Sequence, residues 1–177
     1  NRRLDIEIKQ DLIEEIARMY GYDRLNETLP SMTVEGELTH AQKVRKIVNK
    51  TLVGLGLSET VSYSLVSPKL SSMCKVLYDD DFAPVKLLHP MTEEHSILRR
   101  SIVPSLIDIL KYNNARKNFN VSIYEIGEQY GLINAEPTEN YLLAGALQGV
   151  HSSTEWQAKK EAVDFYYVKG ILDVVFA

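Results

Sequence analysis

The chain is poor in cysteine, tryptophan and proline, and it carries no excess of positive charge. Its 177 residues include one Cys, one Trp and six Pro. Cys74 stands alone, so no intramolecular disulfide can form, which suits a reducing, cytoplasmic setting. Lys and Arg number 20 against 24 Asp and Glu, a formal net charge of −4. That balance argues against a nucleic-acid grip built on bulk positive charge. No apolar run approaches the roughly 18 residues that a membrane-spanning helix requires. The first residues, Asn1-Arg2-Arg3-Leu4-Asp5, lack the apolar stretch of a secretion signal. His40, His89, His95 and His151 are scattered, with no zinc-binding spacing. Gly145 and Gly149 do not belong to a Gly-x-Gly-x-x-Gly phosphate loop, and Cys74 has no convincing partner for nucleophilic catalysis. Internal repeats and low-complexity segments are missing too.

What is present is an ordinary globular composition, 45% hydrophobic and 25% charged. A chain of this length can bury one sizeable core plus a small appendage. Thr39-His40-Ala41-Gln42 reads as a capping box, with Thr39 as N-cap and Gln42 reaching back. The helix it opens puts Val44, Ile47, Val48, Thr51, Leu52 and Leu55 on one face and ends at Gly54 and Gly56. Thr60 to Leu65 alternates, with Val61, Tyr63 and Leu65 on one side, as a half-buried strand would. Ser67-Pro68 opens a short turn of helix. Lys75 to Tyr78 and Pro84 to Leu88 are strand candidates around an Asp79-Asp80-Asp81 turn, whose charges read as solvated. Pro104 starts a helix to about Arg116, with Leu106, Ile107 and Leu110 inward. Val121 to Ile126 and Tyr141 to Leu147 are strands separated by a turn near Asn134-Ala135-Glu136-Pro137; Glu125 can be a buried, hydrogen-bonded acid there, with a solvent-facing acid as the default. Trp156 falls in a polar, irregular stretch. Asp164 caps a last helix whose Val168, Ile171, Leu172 and Val175 face the core. Hairpin-like neighbours in the middle favour an α+β fold with a mainly antiparallel sheet flanked by helices.

The most distinctive stretch lies near the start. Wound as a helix, the stretch Asp5 to Asp23 places Leu12, Ile13, Ile16, Ala17 and Tyr20 in an apolar stripe. Asp11, Glu14, Glu15 and Arg18 gather on the other side; Asp5 lies just upstream, and Gly21 ends the helix. A carboxylate cluster without nearby His or Cys suits a hard, oxygen-preferring cation such as magnesium. The same acids can instead complement the helix macrodipole, with Glu14 and Arg18 as an i,i+4 pair.

Several blocks carry a family resemblance. Asp5-Ile6, Asp11-Leu12-Ile13-Glu14-Glu15, Ala17-Arg18 and Tyr20-Gly21-Tyr22-Asp23 resemble a signature of the bacterial phenylalanine–tRNA ligase beta subunit. Gly54 to Leu65, His89 to Arg99, Leu110 to Asn113, Tyr124 to Gly127 and Asp164 to Gly170 continue the resemblance in order. It implies the tail of a small helical domain over residues 1–30, a connector over 31–38 and a class II synthetase-like module over 39–177. Both ends read as cut, with the module continuing past residue 177. It also implies that Asp5, Asp11, Glu14 and Glu15 are magnesium ligands in a site shared with the alpha subunit. ATP and tRNA would be bound by the whole enzyme, a heterotetramer of two alpha–beta pairs, and no membrane is involved.

Class II synthetases hold the ATP α-phosphate with the Arg of an Arg-x-Glu motif. Here Arg99 is followed two residues on by Ser101, and Arg100 by Ile102. The third class II motif, with its second phosphate-binding Arg, has no match. Phosphoryl chemistry depends on such preorganised charges, so no catalytic residue is assigned, and the module is expected to be catalytic-like in fold only. The helix from about His40 to Leu55 and the strand Thr60 to Leu65 resemble the class II interface motif, although periodicity alone favours a helix packed on its own sheet. The alternative to a subunit of the ligase is a free-standing class II-like paralogue that binds a ligand or regulates a partner.

Overall fold

In the computed structural model the described residues are 3–31, 35–73, 82–151 and 160–177. They form two compact units, Asn1–Glu37 and Leu38–Ala177. Cys74, the Lys75–Tyr78 strand candidate, Asp79 to Asp81 and Trp156 lie outside the described residues.

The first unit is built on α1 (Lys9–Tyr20), followed by a single 3-10 turn over Tyr22–Arg24. The helix start is fixed by Asp11, which reaches back. Its Oδ2 accepts from the backbone N–H of Glu7 at 2.9 Å and of Ile8 at 3.0 Å, satisfying donors that the helix leaves unpaired. Gly21 ends the helix at φ 98°, a conformation that favours glycine, and its N–H bonds Ala17 O at 2.9 Å. The apolar stripe is real, yet Leu12, Ile13, Ile16 and Tyr20 all remain more than half exposed.

The second unit is layered around a long hairpin. Strands β4 (Val121–Ile133) and β5 (Glu136–Gln148) pair antiparallel along their full length. Both run well beyond the predicted strands, because pairing with each other extends them through residues of little strand propensity. They turn through Asn134 and Ala135 alone, at φ 52° and 65°, as a two-residue type I′ hairpin turn demands. Glu136 and Pro137, expected in the turn, open β5. A short β1 (Ser58–Glu59) lies parallel to β4 on its other side, giving the sheet order β1-β4-β5.

Alternation along the hairpin builds two cores, one on each face. Helix α2 (His40–Gly54) and α5 (Phe165–Val175) cover one, where Leu52, Leu57, Tyr124 and Ile171 are buried. Helix α4 (Val103–Ala115) covers the other with Ile102, Leu106, Val121 and Ile123. Each such apolar side chain contributes roughly 1.5–3 kcal/mol when fully buried. The predicted caps hold. Thr39 Oγ1 accepts from Gln42 N at 3.3 Å while Gln42 Oε1 accepts from Thr39 N at 2.8 Å. Asp164 Oδ1 accepts from Tyr167 N at 2.8 Å.

A smaller ladder, β2 (Leu65–Val66) with β3 (Ile97–Leu98), stands beside α3 (Pro68–Ser71). Pro84 to Leu88 does not form a named strand. It touches its neighbours through the bridge Lys86–Ile97 and through Leu98 N to Val85 O at 2.9 Å. Phe82, buried, sits on the bare backbone of Gly131, where a Cβ would come within 2.6 Å of its ring carbons.

Candidate functional site

The sequence-predicted residues fall in two places, one in each unit. In the first unit Arg3 stands among the acids. Its Nη2 donates to Asp5 Oδ2 at 2.6 Å and to Glu15 Oε1 at 2.9 Å, while Arg18 Nη2 meets Glu15 Oε2 at 2.5 Å. Arg18 therefore pairs with Glu15 at i,i+3, and the predicted Glu14–Arg18 pair is replaced by it. The guanidinium of Arg3, aided at Glu15 by Arg18, holds the Asp5 and Glu15 carboxyls down to about 2. Asp11 is also lowered, first by the N–H groups of Ile8 and Glu7, against an opposing push from Asp5. Glu14 is exposed on the helix surface. Among the described residues no three acid, His or Cys side chains converge as a metal site would require. The donors have the right chemistry for magnesium, but their arrangement is that of an arginine-satisfied cluster.

In the second unit Arg99 is 4% exposed and Glu125 3%. Glu125 is thus a buried acid and not the solvent-facing one its default predicts. Arg99 Nη1 donates to Glu125 Oε1 at 2.5 Å and to Ser62 Oγ at 2.8 Å, and Nε donates to Glu128 O at 2.8 Å. Ser62 in turn donates to Glu125 Oε2 at 2.7 Å. The fork lies against Gly127, where a Cβ would stand 2.4 Å from Nη2. Sequence reasoning singled out Arg99 and, separately, Glu125, but did not join them. The one available signal was Gly127, two residues from an acid in a strand, since a bare backbone marks a close approach. Arg100 is turned away too, its Nη1 donating to Phe82 O at 3.1 Å.

The same network explains a second departure. Thr60 to Leu65 is no continuous strand. Thr60 donates through N and Oγ1 to Tyr124 O at 2.8 and 3.1 Å, Ser62 joins the ion pair, and Ser64 O accepts from Arg99 N at 2.8 Å. The polar residues face inward. Val61 and Tyr63, expected to be half-buried, are 93% and 77% exposed. On α2, Ile47 from the predicted core face is 65% exposed as well.

The chain is similar to known proteins along nearly its whole length. The model of the phenylalanyl tRNA synthetase beta chain CLM domain matches residues 25–177, and that of the tRNA synthetase B5 domain matches residues 1–22. The phenylalanine–tRNA ligase beta subunit of Geobacillus kaustophilus is 45% identical over 99% of this chain, and that of Staphylococcus epidermidis 46% identical over 99%. This chain spans only 22% of the length of each. Among solved structures, a pyrrolysyl tRNA synthetase from Desulfitobacterium hafniense superposes with TM-score 0.52 at 15% identity, over 77% of this chain and 44% of that one. That likeness concerns the fold alone, which is of the class II synthetase type. On the match over residues 25–177, the chain belongs to the family of the phenylalanyl tRNA synthetase beta chain CLM domain.

Proposed function

We propose that this segment is a non-catalytic structural module of a phenylalanine–tRNA ligase, the enzyme that charges tRNA with phenylalanine at the expense of ATP. The observation that carries the reading is Arg99. Amino-acid activation needs guanidinium groups free to meet a phosphate whose charge grows in the transition state. Arg99 is instead buried and spent on Glu125, Ser62 and Glu128 O. The position two residues on is Ser101, where an Arg-x-Glu motif needs an acid.

The role left to such a module is support of the alpha subunit, in a heterotetramer of two alpha–beta pairs that acts in the cytoplasm. ATP, tRNA and magnesium belong in this reading to the assembled enzyme, with residues 1–30 as the tail of a helical domain and 39–177 as the class II-like module. The outward Val61 and Tyr63, together with Ile47 of α2, are the surface on which that partner would rest. Their exposure is what a face awaiting a partner shows. Co-expression with a phenylalanine–tRNA ligase alpha subunit tests the assignment. The two chains co-purify, and α2 and residues 60–65 lose hydrogen-exchange rate in the complex. Phenylalanine-dependent pyrophosphate exchange by the purified segment alone would sink the non-catalytic reading. An unchanged exchange rate in α2 and 60–65 would sink the interface.

A further inference from the structure

A cleft of about 480 Å3 opens in the second unit where the end of α4, the start of β4 and the turn after α2 meet. Its character is set by what does not line it. In a chain that is 25% charged, no Asp, Glu, Lys or Arg is among the residues around it. Their place is taken by the amides of Asn113, Asn118 and Asn120 and by the hydroxyls of Ser58, Thr60 and Ser122. Two of the amides are oriented by the fold. Asn120 Oδ1 accepts from Val150 N at 3.1 Å, which leaves its NH2 as a donor with no partner among the described residues. Asn118 Nδ2 donates to Asn113 Oδ1 at 3.0 Å, which leaves Asn118 Oδ1 as an acceptor. His151 and Tyr167, also on the lining, form a flat stack with rings 4.1 Å apart and 13° from parallel.

We propose that this cleft takes a nucleobase, whose phosphate is met at the edge by Lys117. A base is flat, uncharged and ringed with donors and acceptors, so it is held by amides, hydroxyls and aromatic surface. A charged ligand would find no counter-charge on this lining. The charge lies just outside. From Ile109 to Tyr124 the chain holds Lys111, Arg116 and Lys117 and not one acid. Lys111 is paired with Asp108, and Arg116 lies over the Tyr112 ring at 3.4 Å, which leaves Lys117, next to the lining Asn118. Its backbone is informative. Asn118 N bonds Asn113 O and Lys117 N bonds Asn114 O, each at 3.0 Å, so α4 ends in a Schellman motif. Lys117 takes the left-handed position at φ 63°, where glycine is the usual residue and a side chain is strained. Strain kept in this way points to a use for the side chain. A local grip also agrees with the net charge of −4, which argues only against a bulk one. The inference rests on the cleft and not on assembly with an alpha subunit, so failed co-purification leaves it standing.

The test uses the 177-residue chain and three probes: AMP, ribose 5-phosphate and a single-stranded RNA tetranucleotide. In NMR titrations AMP moves the side-chain amide resonances of Asn118 and Asn120 and the ring resonances of His151, whereas ribose 5-phosphate, which lacks the base, does not. RNA binding at least about tenfold tighter than AMP assigns the base to a strand, whose further phosphates add contacts. Equal affinities assign it to a free nucleotide. Asn120→Asp keeps the oxygen that accepts from Val150 N and loses the free donor. The fold stands, and AMP binding weakens about two- to tenfold, the range of one net hydrogen bond. Lys117→Gly separates use from structure. It raises the urea midpoint because the strain is relieved, and it weakens AMP and RNA binding about two- to fivefold through the lost charge. Lys69→Ala makes the same charge change on α3, away from the lining, and leaves binding as it was. The proposal is overturned if neither AMP nor RNA moves these resonances, if ribose 5-phosphate moves them equally, or if Asn120→Asp binds as wild type does. Equal weakening by Lys69→Ala and Lys117→Gly would overturn it too, since bulk charge would then account for the effect.

Discussion

Arg99 and Arg3 each pair a guanidinium with a carboxylate, yet one cluster is buried and the other is open to water. Glu125, on β4, and Arg99 are both buried, and every polar atom they lose to water must be replaced within the protein. Ser62 and the Glu128 carbonyl supply those replacements. Arg3 and Asp5, in the segment before α1, and the partly exposed Glu15 of α1 are open to water, which competes for each bond. The same chemical pair therefore serves opposite ends. Buried, it is a fixed structural tie whose loss is costly. Exposed, it adds little to the stability of the fold.

The sharpest way to break this contrast is at Glu125. Glu125→Ala leaves the Arg99 charge buried without a partner and lowers unfolding free energy by about 3–5 kcal/mol, read from urea denaturation of the chain. A loss below that of an ordinary surface substitution would mean that water reaches Arg99, and the contrast would fail. Gly127→Ala comes next. Its new Cβ would stand 2.4 Å from Arg99 Nη2, so the fork must shift, at about 1–3 kcal/mol for forced overpacking. The same denaturation series measures it.

An intermediate case sits on the same strand. The Glu128 carboxyl accepts from Tyr130 Oη at 2.6 Å, and hydrogen bonds from Tyr130 and then Tyr141 hold it below the usual carboxylate range. A carboxyl whose folded value is depressed adds stability that is present above its ordinary value near 4.5 and is lost as pH falls through the lowered folded value. Tyr130→Phe removes the first bond, so the Glu128 titration followed by carbon NMR moves up toward the ordinary value. The smallest effect belongs to the exposed cluster. Arg3→Ala leaves the urea midpoint of the second unit unchanged. A clear drop would show that the cluster is a structural tie after all.

What could be read in advance divides along the same line. Thr39 with Gln42, Asp164 with Tyr167, and Pro104 at the head of α4 were legible because each is a local bond or a local steric preference, complete within a few residues. The α+β class and the hairpin order followed from alternation and turn residues. The lengths of β4 and β5 did not, because a strand's extent is set by the partner it finds. Thr60 to Leu65 misled for a related reason. Its alternation is real, but the face that turns inward was chosen by the buried ion pair and not by hydrophobicity.

The acidic helix shows both limits at once. Sequence alone determined that Asp11, Glu14 and Glu15 share one face of α1 and that their oxygens suit a hard cation, since helical spacing and ligand chemistry are local properties. It also determined the family, through ordered blocks spread along nearly the whole chain. Only the tertiary structure decided that Arg3 folds back between Asp5 and Glu15, that Asp11 is bound to the start of its own helix, and that Arg99 meets Glu125 across 26 residues. Those pairings depend on where distant segments come to rest, and charge finds its partner by distance in space, which no reading along the chain supplies.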